Sequence, residues 1–149
     1  MIFGLICLGI PRFAQISANV AYWNINGHIS KNIGDKLRDK QFLNNISDTD
    51  ILGLGELHAS ALVDIPGFKL MKQKIREKNF KGPKTAGGLA VFVRKELEHF
   101  VEIMPNDIEN SIWIKVKKIF NNKPEDVYIG TYYVSPPNTK QSKRDGDFF

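Results

Sequence analysis

Asp50-Ile51-Leu52-Gly53-Leu54-Gly55-Glu56-Leu57-His58 decides how this chain is read, together with Trp23-Asn24-Ile25-Asn26-Gly27 upstream of it. Each segment sets polar, ligand-type residues directly after an apolar run, where a buried strand ends and a site can open. Ile16 to Trp23 mixes β-branched and aromatic residues and reads as a buried strand, which Asn24 and Gly27 break into a loop. Ile33, Leu37, Phe42, Leu43 and Ile46 then recur at helical spacing among Lys, Arg and Asp, which predicts an amphipathic helix. Asp50 to Leu54 returns as a strand. Strand, helix, strand is a crossover unit, normally right-handed, that brings the carboxyl ends of its two strands to one edge of a sheet. Asn24, Asn26 and Glu56 are expected to meet there, as a cradle for a divalent metal and a phosphate.

Beyond Phe68 the pattern changes to short strands with brief connections: Phe68 to Ile75, Gly88 to Val93, Phe100 to Met104, Ser111 to Ile119 and Asp126 to Val134. Ile112, Ile114 and Val116 alternate with Trp113, Lys115 and Lys117, the signature of an antiparallel strand with one wet face. Asn121-Asn122-Lys123-Pro124 supplies turn chemistry before the last strand. No internal repeat and no low-complexity tract interrupts the chain. The expected architecture is one mostly antiparallel sheet with a helix on one face.

The length of 149 residues suffices for one domain of ordinary globular composition. A formal net charge of +5 and a pI near 9.3 favour polyanionic partners, although a soluble surface can carry the same excess of Lys. The single Cys, Cys7, excludes an intramolecular disulfide, and three scattered His give no zinc pattern, which points to a reducing, intracellular compartment. Met1 to Ile10 is apolar but too short to span a bilayer, and no Lys or Arg precedes it as a secretory n-region requires. Residues 1–15 therefore read as an apolar leader or an extra strand, with a cleaved signal as the alternative.

The wording of the two opening segments resembles the endonuclease/exonuclease/phosphatase superfamily, whose first strand ends in Asn-x-Asp/Asn-Gly and whose next ends in a Gln-Glu-Thr-like motif. Gly87-Gly88-Leu89-Ala90-Val91-Phe92-Val93-Arg94 and Thr131-Tyr132-Tyr133-Val134-Ser135-Pro136-Pro137-Asn138 follow in the family's order. The closest resemblance is to LINE-type (non-LTR) retrotransposon endonuclease domains, which often read Asn-Ile-Asn-Gly and carry a His where His58 stands. It implies an α/β (α+β) fold of the DNase I type, the N-terminal half of a two-sheet β-sandwich flanked by helices, over residues 16–149. The second sheet would come largely from residues beyond those present, which would leave an apolar sheet face and an unpaired edge exposed. Domains of this family are longer, and their second half supplies an Asp-x-Asn motif and a terminal Asp-His pair. Asp145-Gly146-Asp147-Phe148-Phe149 departs from the family's Gly-Asp-Phe-Asn at Phe149.

Residue by residue, the resemblance makes Glu56 a catalytic metal ligand for Mg²⁺ (or Mn²⁺) and Asn26 a weaker one, since an amide is neutral where other members carry Asp. It makes Asn24 and Tyr133 catalytic contacts to the scissile phosphate, with Asn138 as a further substrate contact. Gly55 and Leu57 replace the usual Gln and Thr, which removes polar neighbours of Glu56. The ordinary readings are a surface Glu after a strand, two Asn tolerating positive φ before Gly27, and a core tyrosine. His58 reads as a substrate or water contact, or as a solvated loop residue; His28 and His99 have no partner pattern. Lys69, Lys72, Lys74, Arg76, Lys78, Lys81 and Lys84, interleaved with Phe68 and Phe80, could track a phosphate backbone or form a wet strand face. Gly82 to Gly87 is no P-loop.

These features imply Mg²⁺-dependent nicking of DNA by a retrotransposon-like endonuclease, with little activity expected of the half-site alone. Two alternatives remain: a non-catalytic fragment binding nucleic acid or a partner chain, and a phosphoinositide or sphingomyelin phosphodiesterase or phosphatase of the same superfamily. The expected partners are DNA and a missing C-terminal half or partner chain covering the exposed sheet, with no membrane. The expected location is intracellular, nuclear for a DNA-nicking element, with secretion as the alternative.

Overall fold

The computed structural model describes residues 18–75, 87–106, 108, 110–118 and 124–133. Strand β1 (Val20–Asn24) leads into a two-residue hairpin of β2 (Ile29–Ser30) and β3 (Gly34–Asp35), a 3-10 turn at Lys36–Arg38 and the helix α1 (Lys40–Asn45). Six further strands follow: β4 (Ile51–Gly55), β5 (Phe68–Lys74), β6 (Leu89–Arg94), β7 (Val101–Met104), β8 (Ser111–Val116) and β9 (Val127–Tyr132). They form a four-stranded sheet in the order β1-β4-β6-β5 and a three-stranded sheet in the order β7-β8-β9. Two sheets thus stand where the sequence predicts one; the second is built by β7 to β9 of this chain. Mixed sheets with few helices are consistent with an α/β domain of the DNase I type.

β4 and β6 explain the division. Both are apolar without alternation, Ile-Leu-Gly-Leu-Gly and Leu-Ala-Val-Phe-Val, because both of their faces are covered. Ala90 and Phe92 point to a core shared with Leu37, Phe42, Ile46, Leu52 and Leu54 on the helix side. Leu89, Val91 and Val93 point the other way, into a core shared with Ile112, Ile114 and Val116 of β8. The alternation predicted for β8 holds: those three residues are buried, whereas Trp113 is exposed and Lys115 half-buried. Lys115 and Lys117 on the wet face close on Glu102 of β7 at 2.6 and 3.0 Å. Glu102 consequently titrates below the usual carboxylate range, chiefly through the Lys115 hydrogen bond and then that of Lys117.

The parallel pairing of β1 with β4 is the predicted crossover, but its helix is shorter than the periodicity implies. Gly34, at φ +78°, turns the chain into the β2–β3 hairpin, leaving Ile33 exposed in the turn rather than on a helix face. Asp35 accepts from the Leu37 N–H (3.0 Å) and Asp39 from those of Gln41 and Phe42 (3.0 and 3.1 Å), so each begins a new helical segment. Leu37, Phe42 and Ile46 still reach the core, because two short segments present them to the same sheet face.

β1 is not the buried strand its composition suggests. Among the described residues it is an edge of the four-stranded sheet, and Val20, Tyr22 and Trp23 are exposed, with Trp23 leaning on Phe42 at a ring separation of 5.5 Å. On the other sheet Trp113 lies across Gly130 and leaves its own face, with Tyr128 and Tyr132, exposed. Residues 1–15, the segment Asn121-Asn122-Lys123 and the tail Asp145–Phe149 lie outside the described residues. Within them no helix is long and apolar enough to cross a membrane.

Phe92 is fully buried at the centre of the helix-side core. Phe92→Ala is expected to cost about 3–5 kcal/mol, read as a lower urea midpoint at unchanged slope.

Candidate functional site

The site begins where β1 and β4 end. Their parallel register sets Asn24 opposite Gly55, and the ladder continues beyond the strands. The Ile25 N–H donates to the Gly55 carbonyl (3.1 Å), that of Gly27 to Glu56 (2.6 Å) and that of His28 to Leu57 (3.0 Å). On the other side the Leu57 and His58 N–H groups donate to the carbonyls of Gly88 and Gly87 (3.4 and 2.8 Å). Residues 24–28, 55–58 and 87–88 are thereby held side by side at one end of the sheet.

Backbone conformation at this end is unusual. Asn26, Glu56 and His58 are the described non-glycine residues with positive φ, at 47°, 53° and 50°. Such conformations are costly for residues with a Cβ and persist where surrounding contacts hold them. For Asn26 the holding contacts are visible. The Asn24 Oδ1 accepts from the Asn26 N–H at 3.1 Å, and the Lys36 ammonium donates to the carbonyls of Ile25 (2.7 Å) and Asn26 (3.3 Å). The turn reading therefore holds for Asn26, whereas Asn24 is extended in β1 and contributes its side-chain oxygen to that turn.

Glu56 is half-buried, and its Oε1 accepts a hydrogen bond from the Tyr133 hydroxyl at 2.9 Å. Two residues 77 apart in sequence, on different sheets, meet through this bond. Tyr133 also packs against the core between the sheets, so the core-aromatic reading holds while its hydroxyl reaches Glu56. Leu57 is fully buried on the helix side, which accounts for an apolar residue following Glu56. The His58 imidazole lies against Gly27, its Nδ1 3.2 Å from where a Cβ on Gly27 would stand.

Two site residues escape the sequence reading. Tyr22 reaches over Gly55 so closely that a Cβ at position 55 would fall on its hydroxyl, and its ring meets Gly53 in the same way at 3.0 Å. The signal for it was the alternation of Gly53 and Gly55, two empty positions on one face of a buried strand, which require a bulky neighbour above them. Lys36, which clamps the loop after β1, carries no such signal. Tyr22 holds its phenol above the ordinary value of 10.0, first because burial of the hydroxyl end disfavours the anion, then through the charges of Glu56 and Tyr132. The residue as a whole is 44% exposed, because only its hydroxyl end is tucked away.

Other expected residues lie apart. His28 is bound into the loop, its Nδ1 2.9 Å from the Leu57 carbonyl, and the exposed His99 stands 3.9 Å from Glu98. Of the basic run, Lys69 is exposed, whereas Lys74 turns to Asn106 Oδ1 and the Ile108 carbonyl and is not presented to a polyanion. Arg76, Lys78, Phe80, Lys81 and Lys84 lie outside the described residues, as does Asn138.

The Glu56 carboxylate is a hard oxygen donor, of the kind that a cation such as Mg²⁺ or Mn²⁺ takes. No group of three or more His, Cys, Asp or Glu occurs among the described residues, so a cation on Glu56 would keep most of its water.

Tyr22 should ionise above pH 10, and Glu56→Gln should lower its pKa, as read from tyrosinate absorbance. A pKa raised by folding means that stability is full below 10.0 and is lost as pH rises through the folded value. Tyr22→Phe should therefore reduce the fall in Tm above pH 10.

Comparison with known families gives one match: the model of the endonuclease/exonuclease/phosphatase family aligns with residues 21–144, from β1 to beyond the end of β9. Neither the curated proteins nor the solved structures include a match. On the alignment of most of its length, the chain belongs to the endonuclease/exonuclease/phosphatase family.

Proposed function

We propose that this chain carries the first half of a divalent-metal-dependent phosphodiester-hydrolysing site, with DNA as substrate and LINE-type retrotransposon endonucleases as its nearest kin. The observation that carries the reading is the Glu56 carboxylate held by Tyr133 at 2.9 Å, at the mouth of the strands where Asn24 and Asn26 also end. The family suggests phosphodiester hydrolysis and is generally dependent on a divalent metal. The Asn-Ile-Asn-Gly wording and the +5 charge favour DNA over phosphoinositides or sphingomyelin. In this reading the two packed sheets are the opening half of a DNase I-type sandwich, and the exposed aromatic edge at β1 is covered by a further segment or a partner chain.

Glu56 would hold Mg²⁺ or Mn²⁺, with Asn26 as a weak neutral neighbour. When bound, the cation offsets phosphate charge in an in-line displacement. Tyr133 fixes the orientation of the carboxylate by donating to Oε1, which limits the reorganisation that binding would require. Asn24 has committed its oxygen to the Asn26 turn, so its amide N–H group would be the part that donates to a phosphate oxygen. Asn138 is proposed as a further substrate contact. Glu56 is the one carboxylate assigned to the site, so only slight cleavage is expected of the chain on its own.

Purified protein should bind Mn²⁺, detected by paramagnetic resonance, and Glu56→Ala should abolish that binding; a variant that binds as before excludes Glu56 as a ligand. Plasmid nicking in Mg²⁺ should be slight, and robust nicking lost in Glu56→Ala would show a complete catalytic site. DNA binding that weakens with salt but ignores both EDTA and Glu56→Ala would favour a non-catalytic binding fragment.

A further inference from the structure

We propose that Tyr22 is a positioning residue of the Glu56 site: its hydroxyl, lodged in the side-chain space that Gly55 leaves open, supplies a second phenolic donor beside that of Tyr133. The acceptors would be the oxygens, of water or phosphate, that a cation at Glu56 brings with it. The inference rests on Glu56 being a metal ligand, as argued above.

The geometry is specific to the polar end of the ring. Any Cβ at position 55 would clash with the Tyr22 hydroxyl, and its Cζ lies 3.0 Å from the same point, so the phenol takes up the space of a side chain at the residue immediately before Glu56. An aromatic needed only to cover Gly53 could end in a hydrogen; a hydroxyl lodged at the residue before the carboxylate is placed to serve as a hydrogen-bond donor. An ordinary phenol is protonated at neutral pH, so the hydroxyl is available as a donor. Tyr22 comes from β1 of one sheet and Tyr133 from the end of β9 of the other; Tyr133 donates to Glu56 itself, and the Tyr22 hydroxyl lies at Gly55, the residue before it. Gly55 and Tyr22 are then a single device: no residue larger than glycine at 55 leaves the hydroxyl where it is.

The chain has four tyrosines, so each ring resonance can be assigned with one Tyr→Phe variant. In a titration with Mn²⁺ alone, the rings of Tyr22 and Tyr133 should broaden first. Tyr128, about 13 Å along β9 from Tyr132, should broaden last. Broadening of Tyr133 without Tyr22 would overturn this inference and leave the metal site standing, whereas broadening that survives Glu56→Gln, or none at all, would overturn the metal site itself. Tyr22→Phe should weaken Mn²⁺ binding by about tenfold, read on the Tyr133 ring, at an unchanged neutral-pH Tm. Gly55→Ala should do the same, and the double variant should bind no worse than either single one, because both remove the same hydroxyl. Wild-type Mn²⁺ affinity in Tyr22→Phe would reduce Tyr22 to packing.

Discussion

The register of β1 on β4 is the constraint on which the rest depends. A parallel pair sends both strands out of the sheet in the same direction, so Asn24 opposite Gly55 fixes that the two polar loops leave together. The hydrogen bonds that extend the ladder through Gly27 and His28 carry that register past the strands and hold Glu56 at positive φ. A slip of β1 by one residue would turn Ala21 and Trp23 away from the helix-side core. Core packing therefore enforces the alignment that the site uses.

β6 does for the two layers what β4 does for the loops. Its odd-numbered residues, Leu89, Val91 and Val93, belong to the core between the sheets, and Ala90 and Phe92 to the core under the helix. One strand thus ties together two hydrophobic clusters, neither large. It also keeps β9 over β4, with Thr131 against Gly53, and delivers the Tyr133 hydroxyl to Glu56.

Glycine placement deserves a physical reading beside the motif reading. Gly55 and Leu57 stand where polar residues would be expected to support the carboxylate, and taken alone they describe a degraded site. Leu57 is accounted for by the core it fills, and Gly55 by the hydroxyl it admits. What one position lacks in side chain is present from the adjacent strand, a substitution visible only when the two strands are laid side by side.

The strands, the parallel crossover and the candidate residues are legible along the chain, because burial on one or both faces writes itself into it as alternation or as a continuous apolar run. β4, β6 and β8 were legible for that reason, as were Asn24, Asn26 and Glu56 at the strand ends. The helix was over-read because Ile33 falls in phase with Leu37 by chance, while Gly34, Asp35 and Asp39 mark the breaks. The burial of β1 was over-read because an edge strand can be as apolar as a central one. That the strands divide into two sheets, that Tyr133 meets Glu56, and that Tyr22 and Lys36 lie at the strand ends is visible only in the folded chain. Each depends on contacts between residues distant in the chain, and no local periodicity records which distant side chain fills a given space.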